Sequence, residues 1–115
     1  MREGPIVSKS LEFSVSIVEY CDYLNKNHRF IISNQLLESS TSIGANVFEA
    51  QHAESRFDFL HKMKIALKEA NESFYWLTLC GRIKDLTVRQ ENLTSLHEII
   101  SILSKIIITT KKNLK

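Results

Sequence analysis

Apolar residues recur along this chain at steps of three and four, and polar breaks divide that period into four segments. In the first, Phe13, Ile17, Tyr20 and Leu24 share one helical stripe, with Leu11, Val15 and Val18 alongside. Pro5 stands near its start, where a missing N–H costs little, and the run Asn25-Lys26-Asn27-His28-Arg29 ends it. The second segment spans Phe30 to Ala53, with Ile32, Leu36, Ser39, Ile43 and Ala50 on one stripe. Its middle, Ser39-Ser40-Thr41-Ser42 with Gly44 and Ala45, has low helix propensity, but the period continues through it and predicts a helix. Small side chains there would let a neighbouring helix approach closely.

Ser55 followed by Asp58 resembles a capping box that starts a third helix. Leu60, Met63, Leu67, Ala70, Phe74, Leu77 and Gly81 then give three heptads of core spacing, with Gly81 near the end and a turn through Lys84-Asp85. The fourth segment repeats the pattern with Leu93, Leu96, Ile100, Leu103, Ile107 and Thr110. Four such helices joined by short links predict an all-α protein, an antiparallel up-down four-helix bundle forming a single domain over residues 1–115.

The third and fourth helices hold more apolar residues than one bundle core consumes. Phe57, Phe59, Ile65, Tyr75, Trp76 and Leu79 lie off the third stripe, and Ile99, Ile102, Ile106 and Ile108 off the fourth. A helix that is apolar nearly all round is buried on more than one side, so self-association is expected.

Composition narrows the class further. One Pro and three Gly in 115 residues leave too few chain breakers for a turn-rich β fold. No continuous apolar leader is visible, and the most apolar stretch, Glu98 to Thr110, is shorter than the ~20 residues that span a bilayer. Cys21 and Cys80 lack partners at metal or redox spacing, so they read as buried, reduced thiols of a cytoplasmic protein.

The formal net charge of +2 does not by itself announce a nucleic-acid binder, but it is unevenly spread. Residues 1–55 carry four Lys/Arg against seven Asp/Glu, whereas residues 56–115 carry eleven against six. In the basic half, Lys64 and Lys68 are one helical turn apart, and Arg82, Lys84, Lys111, Lys112 and Lys115 add to them. Repeated around an oligomer, such cations would multiply weak phosphate contacts.

Catalytic chemistry finds little footing. Glu49-x-x-His52 and Asp58-x-x-His61 echo the carboxylate–histidine pairs of di-iron bundles, but both flank one interhelical turn, and Leu60 takes the core position beside His61. There is no nucleophile elbow and no phosphate-cradling glycine loop. The residues thus predict a non-enzyme without cofactor, metal or small-molecule substrate.

The stretch Thr41-Ser42-Ile43-Gly44-Ala45-Asn46-Val47-Phe48-Glu49-Ala50 is more specific than any of these patterns. With Ser55, Asp58-Phe59, Ile65-Ala66-Leu67-Lys68-Glu69-Ala70 and Tyr75-Trp76-Leu77 following in order, the chain resembles the family of proteins encoded in intervening sequences of bacterial 23S ribosomal RNA genes. The ending, Leu103-Ser104-Lys105-Ile106-Ile107 to Lys111-Lys112-Asn113, is also similar to that family. The resemblance implies a four-helix bundle assembled as a homopentameric ring, with no established molecular function. It also relates the chain to the accessory variability determinants of diversity-generating retroelements, pentamers that bind RNA and a reverse transcriptase. Ser42, Asn46, Glu49, Asp58, Glu69 and Trp76 are the family-motif residues, candidates for intersubunit hydrogen bonds and ion pairs. Lys64, Lys68, Arg82, Lys84, Lys111 and Lys112 are the candidate RNA-binding residues. Glu38 stands where the family is commonly basic and Ser40 where it is commonly glycine, which turns attention from the second helix to the cations of the third and fourth. An RNA-binding scaffold and a pure protein-interaction module both remain open.

Overall fold

The structure, a computed structural model, describes residues 4–114; Met1, Arg2 and Glu3 of the leader reading and Lys115 among the cations lie outside the described residues. Four helices make up the fold: α1 (Pro5–Lys26), α2 (Phe30–Ala50), α3 (Arg56–Arg82) and α4 (Gln90–Asn113). Each packs on its neighbours in chain order, and α1 closes the cycle against α4. Cross-links run in opposite senses along every adjacent pair. Cys21 meets Ser33 while Ser14 meets Ser40, and Tyr20 meets Thr87 while Lys9 meets Glu98. The result is an antiparallel up-down bundle 50 Å long and about 20 Å across.

Chain ends and links follow local chemistry. Pro5 occupies the first turn of α1, and α1 stops with His28 left-handed at φ 61°. There Arg29 N–H donates to the Leu24 carbonyl and His28 N–H to that of Asn25, a Schellman closure built without glycine. The α2 helix ends at Ala50, three residues before the expected Ala53. The N–H groups of Gln51, His52 and Ala53 turn to the carbonyls three residues back, tightening the last turn so that Ser55 can open into an extended cap. Ser55 Oγ accepts from Asp58 N–H at 3.0 Å, and Asp58 Oδ2 accepts from Glu54 N–H at 3.1 Å. The expected cap is therefore present, with its carboxylate reaching one residue further back. Gly81 is helical and α3 ends one residue later, at Arg82.

One core runs through the bundle, from Phe13, Ile17, Tyr20 and Leu24 on α1 to Leu96, Ile99, Leu103 and Ile107 on α4. Two sequence expectations are corrected here. On α3 the buried line is Leu60, Met63, Ala66, Ala70, Ser73, Leu77 and Cys80, whereas Leu67 is half-buried and Phe74 and Gly81 are exposed. A straight helix of 3.6 residues per turn drifts off a strict heptad, and small residues fill the line that meets α2. On α4, Ile99 belongs to the core and not to the apolar excess. That helix has 24 residues and is long and apolar enough to cross a membrane by length and composition, more than the stretch 98–110 suggested. Here its Leu96, Ile99, Leu103 and Ile107 are instead buried against the other helices.

The middle of α2, for all its low propensity, is fully helical, and its polar groups are bonded across both seams. Ser39 Oγ donates to the Leu36 carbonyl, so Ser73 must donate to Ser39 at 2.9 Å and Ser40 to Ser73 at 3.0 Å, all three buried. Toward α1, Ser14 Oγ reaches the Ser40 carbonyl at 3.4 Å, and Ser33 and Cys21 exchange side-chain-to-carbonyl bonds. The helices do approach closely there. Even so, a Cβ on Gly44 would stand 3.5 Å from Ser14 Oγ, ordinary contact, so close approach stops one methyl short of requiring glycine.

Candidate nucleic-acid interface

Most of the candidate residues lie on α2 and α3. Within Thr41–Ala50, Ile43, Val47 and Ala50 enter the core, while Thr41, Gly44, Ala45 and Phe48 line a groove against α1. Ser42, Asn46 and Glu49 turn toward α3. Asn46 Nδ2 donates to the Ser42 carbonyl at 2.8 Å, and Glu49 holds Lys62 of α3 at 2.9 Å. Trp76, half-buried, donates its Nε1–H to Glu72 at 3.4 Å, and Asp58 caps α3. Burial, and then the neighbouring Glu72, hold the Glu69 carboxyl above its ordinary range; Lys68 works against them, and Glu38 of α2 adds to the effect. This α2–α3 seam is acidic, and most of its motif residues have partners within the chain.

The outward face of α3 is different in kind. Phe57, His61, Lys64, Lys68, Asn71, Tyr75, Thr78 and Arg82 follow one another at alternating steps of four and three, and every one is exposed. They form a strip about 37 Å long at 1.5 Å per residue. It carries three of the candidate cations and two of the most exposed aromatic rings, and none of the carboxylates of α3. Ion pairs among the described residues use Lys9 with Glu98, Arg29 with Asp85, Lys62 with Glu49 and Arg89 with Glu19. None engages Lys64, Lys68, Arg82, Lys84, Lys111 or Lys112. Lys84 follows the strip into the α3–α4 link, but Lys111 and Lys112 end α4 at the opposite end of the bundle. The six candidates therefore do not converge on one patch; Lys64, Lys68 and Arg82 do share a line.

The metal reading loses its donors to other work. Glu49 is occupied by Lys62 and Asp58 by its cap, His52 and His61 are exposed, and among the described residues no group of three such side chains could hold an ion. Cys21 and Cys80 are free and buried, and burial pushes both thiols up, away from the reactive thiolate.

Sequence reasoning undervalued a second exposed surface. Leu11 of α1 and Phe48 of α2 stand in solvent on an open apolar groove of about 380 Å³ lined also by Ser14, Thr41, Gly44 and Ala45, and Val15 and Val18 are exposed further along α1. The signal was present, because 11, 15 and 18 keep helical spacing on a line offset from the core stripe.

Fold and faces together define a class: an antiparallel helical bundle with an open apolar groove between α1 and α2 and a basic line with exposed aromatic rings on α3. Over residues 2–109 the chain matches the model of the 23S rRNA-intervening sequence protein, and it belongs to that family. It is also similar to a crystal structure, at 1.70 Å resolution, of a protein with unknown function from the S23 ribosomal protein family of Bacteroides thetaiotaomicron. The two share 46% identity with a TM-score of 0.82, over 89% of this chain and 97% of the other. Among curated proteins no match is found.

Proposed function

We propose that the chain is a non-enzymatic cytoplasmic scaffold that assembles with copies of itself, as a homopentamer, and binds RNA through the outward face of α3. The observation that carries the RNA reading is the strip of Lys64, Lys68 and Arg82, which make no ion pair among the described residues and share a line of α3 that holds no carboxylate of its own. Individual lysine–phosphate contacts are weak, and copies of the strip on one assembly would bind together. The apolar α1–α2 groove, with Val15 and Val18 exposed further along α1, supports self-association, since water on Leu11, Phe48 and these valines is costly unless another surface covers them. The number five rests on the family resemblance. Such a scaffold calls on no cofactor, metal or small-molecule substrate and on no membrane. The same groove supports a second reading, in which it receives a different protein and no RNA binds.

Light scattering on untagged protein, with the absorbance ratio at 260 and 280 nm followed across the peak, separates these readings. A five-chain mass carrying absorbance that nuclease or high salt removes is the expected result. The same mass free of nucleic acid, and unable to bind added RNA, would favour the protein-interaction module. A monomer would overturn the assembly. Lys64→Glu with Lys68→Glu should weaken RNA binding and flatten its dependence on log salt by about 1.4 to 1.8, at ~0.7 per lost phosphate contact on a single strand and ~0.9 on a duplex. An unchanged slope would remove those lysines from the interface.

A further inference from the structure

On the basis of that RNA reading, we infer that the strip takes single-stranded RNA, with bases stacked on Tyr75 and Phe57 while Lys64, Lys68 and Arg82 follow the backbone. Duplex RNA offers phosphates and hydroxyls but keeps its bases paired inside, so a protein that reads it gains nothing from exposed aromatic rings. Single strands are held differently, by cations tracking the backbone and aromatic faces receiving unpaired bases. This strip has both parts in one register. Phe57 is 69% exposed and Tyr75 59% exposed, among the highest values of any large apolar side chain here. Both belong to the same helical line as the three cations.

Tyr75 is also braced. The Trp76 ring stands edge-on to it, with centroids 5.1 Å apart, and Trp76 is itself half-buried and tied to Glu72. A supported ring loses less freedom when a base settles on it than a free one would. Phe57 lies 18 positions earlier on the strip, about 27 Å away at 1.5 Å per residue. The two rings therefore mark separate stacking points with the lysines between them.

The test compares three probes on the assembled full chain: oligouridine, oligoadenosine of equal length, and the duplex they form together. Both single strands should bind at least about tenfold more tightly than the duplex. Tyr75→Ala should weaken single-strand binding by about tenfold, the lower part of what one base stack contributes, while Tyr75→Phe keeps it. Because Trp76 is the chain's one tryptophan and sits against Tyr75, its emission should also respond to single strands in the wild type. Phe57→Ser is the second variant and should lower single-strand affinity with the fold intact. Equal binding of strand and duplex, or full affinity in both ring-deleted variants, would overturn single-strand stacking and leave the basic RNA interface standing. No binding of any probe by folded wild-type protein would instead overturn the RNA reading beneath it.

Discussion

Two regions of the bundle contribute to one core and show solvent quite different surfaces. On α1 and α2, Leu11, Val15, Val18, Phe30, Ile31 and Phe48 are exposed, and acidic residues outnumber basic ones. Lys9 and Arg29 of this half are both held in ion pairs. On α3 and α4 the charge reverses, and the outward line of α3 presents cations outside any ion pair in line with two exposed aromatic rings. The comparison shows how little of a helix the fold consumes. In an up-down bundle each helix gives about half its circumference to the core and seams, so the remainder of each can specialise for a different partner.

The most severe test of that division places charge in the α1–α2 groove. Leu11→Asp with Phe48→Asp should abolish assembly, reducing the mass measured by light scattering to one chain while far-ultraviolet circular dichroism stays helical. Phe57→Asp, at an apolar site on α3 that is still more exposed, should leave the mass unchanged. If both variants dissociate, or neither does, the two surfaces are not divided in this way.

A middle-sized effect is expected inside, where the two regions are joined. Ser73 relays a hydrogen bond from Ser40 to Ser39 across the α2–α3 seam. Ser73→Ala leaves buried hydroxyls short of a partner and should cost about 1–3 kcal/mol in denaturant unfolding, without changing oligomer mass. A stability equal to wild type would show that the hydroxyls re-pair within α2.

The smallest effect sharpens the electrostatic contrast. Glu69 has its carboxyl raised by burial first and by Glu72 second. Folded protein then retains this proton where the unfolded chain has released it. Its contribution to stability is therefore present below the ordinary carboxylate range and is lost as pH rises through the raised value. Glu69→Gln should remove that loss, raising the melting temperature slightly at neutral pH and not in acid. The same shift at both pH values would mean that packing, and not charge, sets the effect.

Four helices, their order and their approximate ends were legible because period, caps and breakers are local properties of the chain. The Ser55–Asp58 cap, the Asn25–Arg29 stop and the stripe of α1 all follow from neighbouring residues alone. Family membership was legible too, in the run from Thr41 to Ala50. The line of α3 that faces inward was legible only in part: Leu60, Met63, Ala70 and Leu77 are buried as expected, but Ala66, Ser73 and Cys80 replace Leu67, Phe74 and Gly81, a choice made by neighbouring helices, as where Ser73 meets Ser39 and Ser40 of α2. Which cations share a face was equally hidden. Arg82 joins Lys64 and Lys68 on one helix, whereas antiparallel packing carries Lys111 and Lys112 to the far end. Sequence by itself determined that this chain makes amphipathic helices that must bury a stripe; tertiary packing decided which part of each stripe is buried and which remains open, because a seam is chosen jointly by two helices.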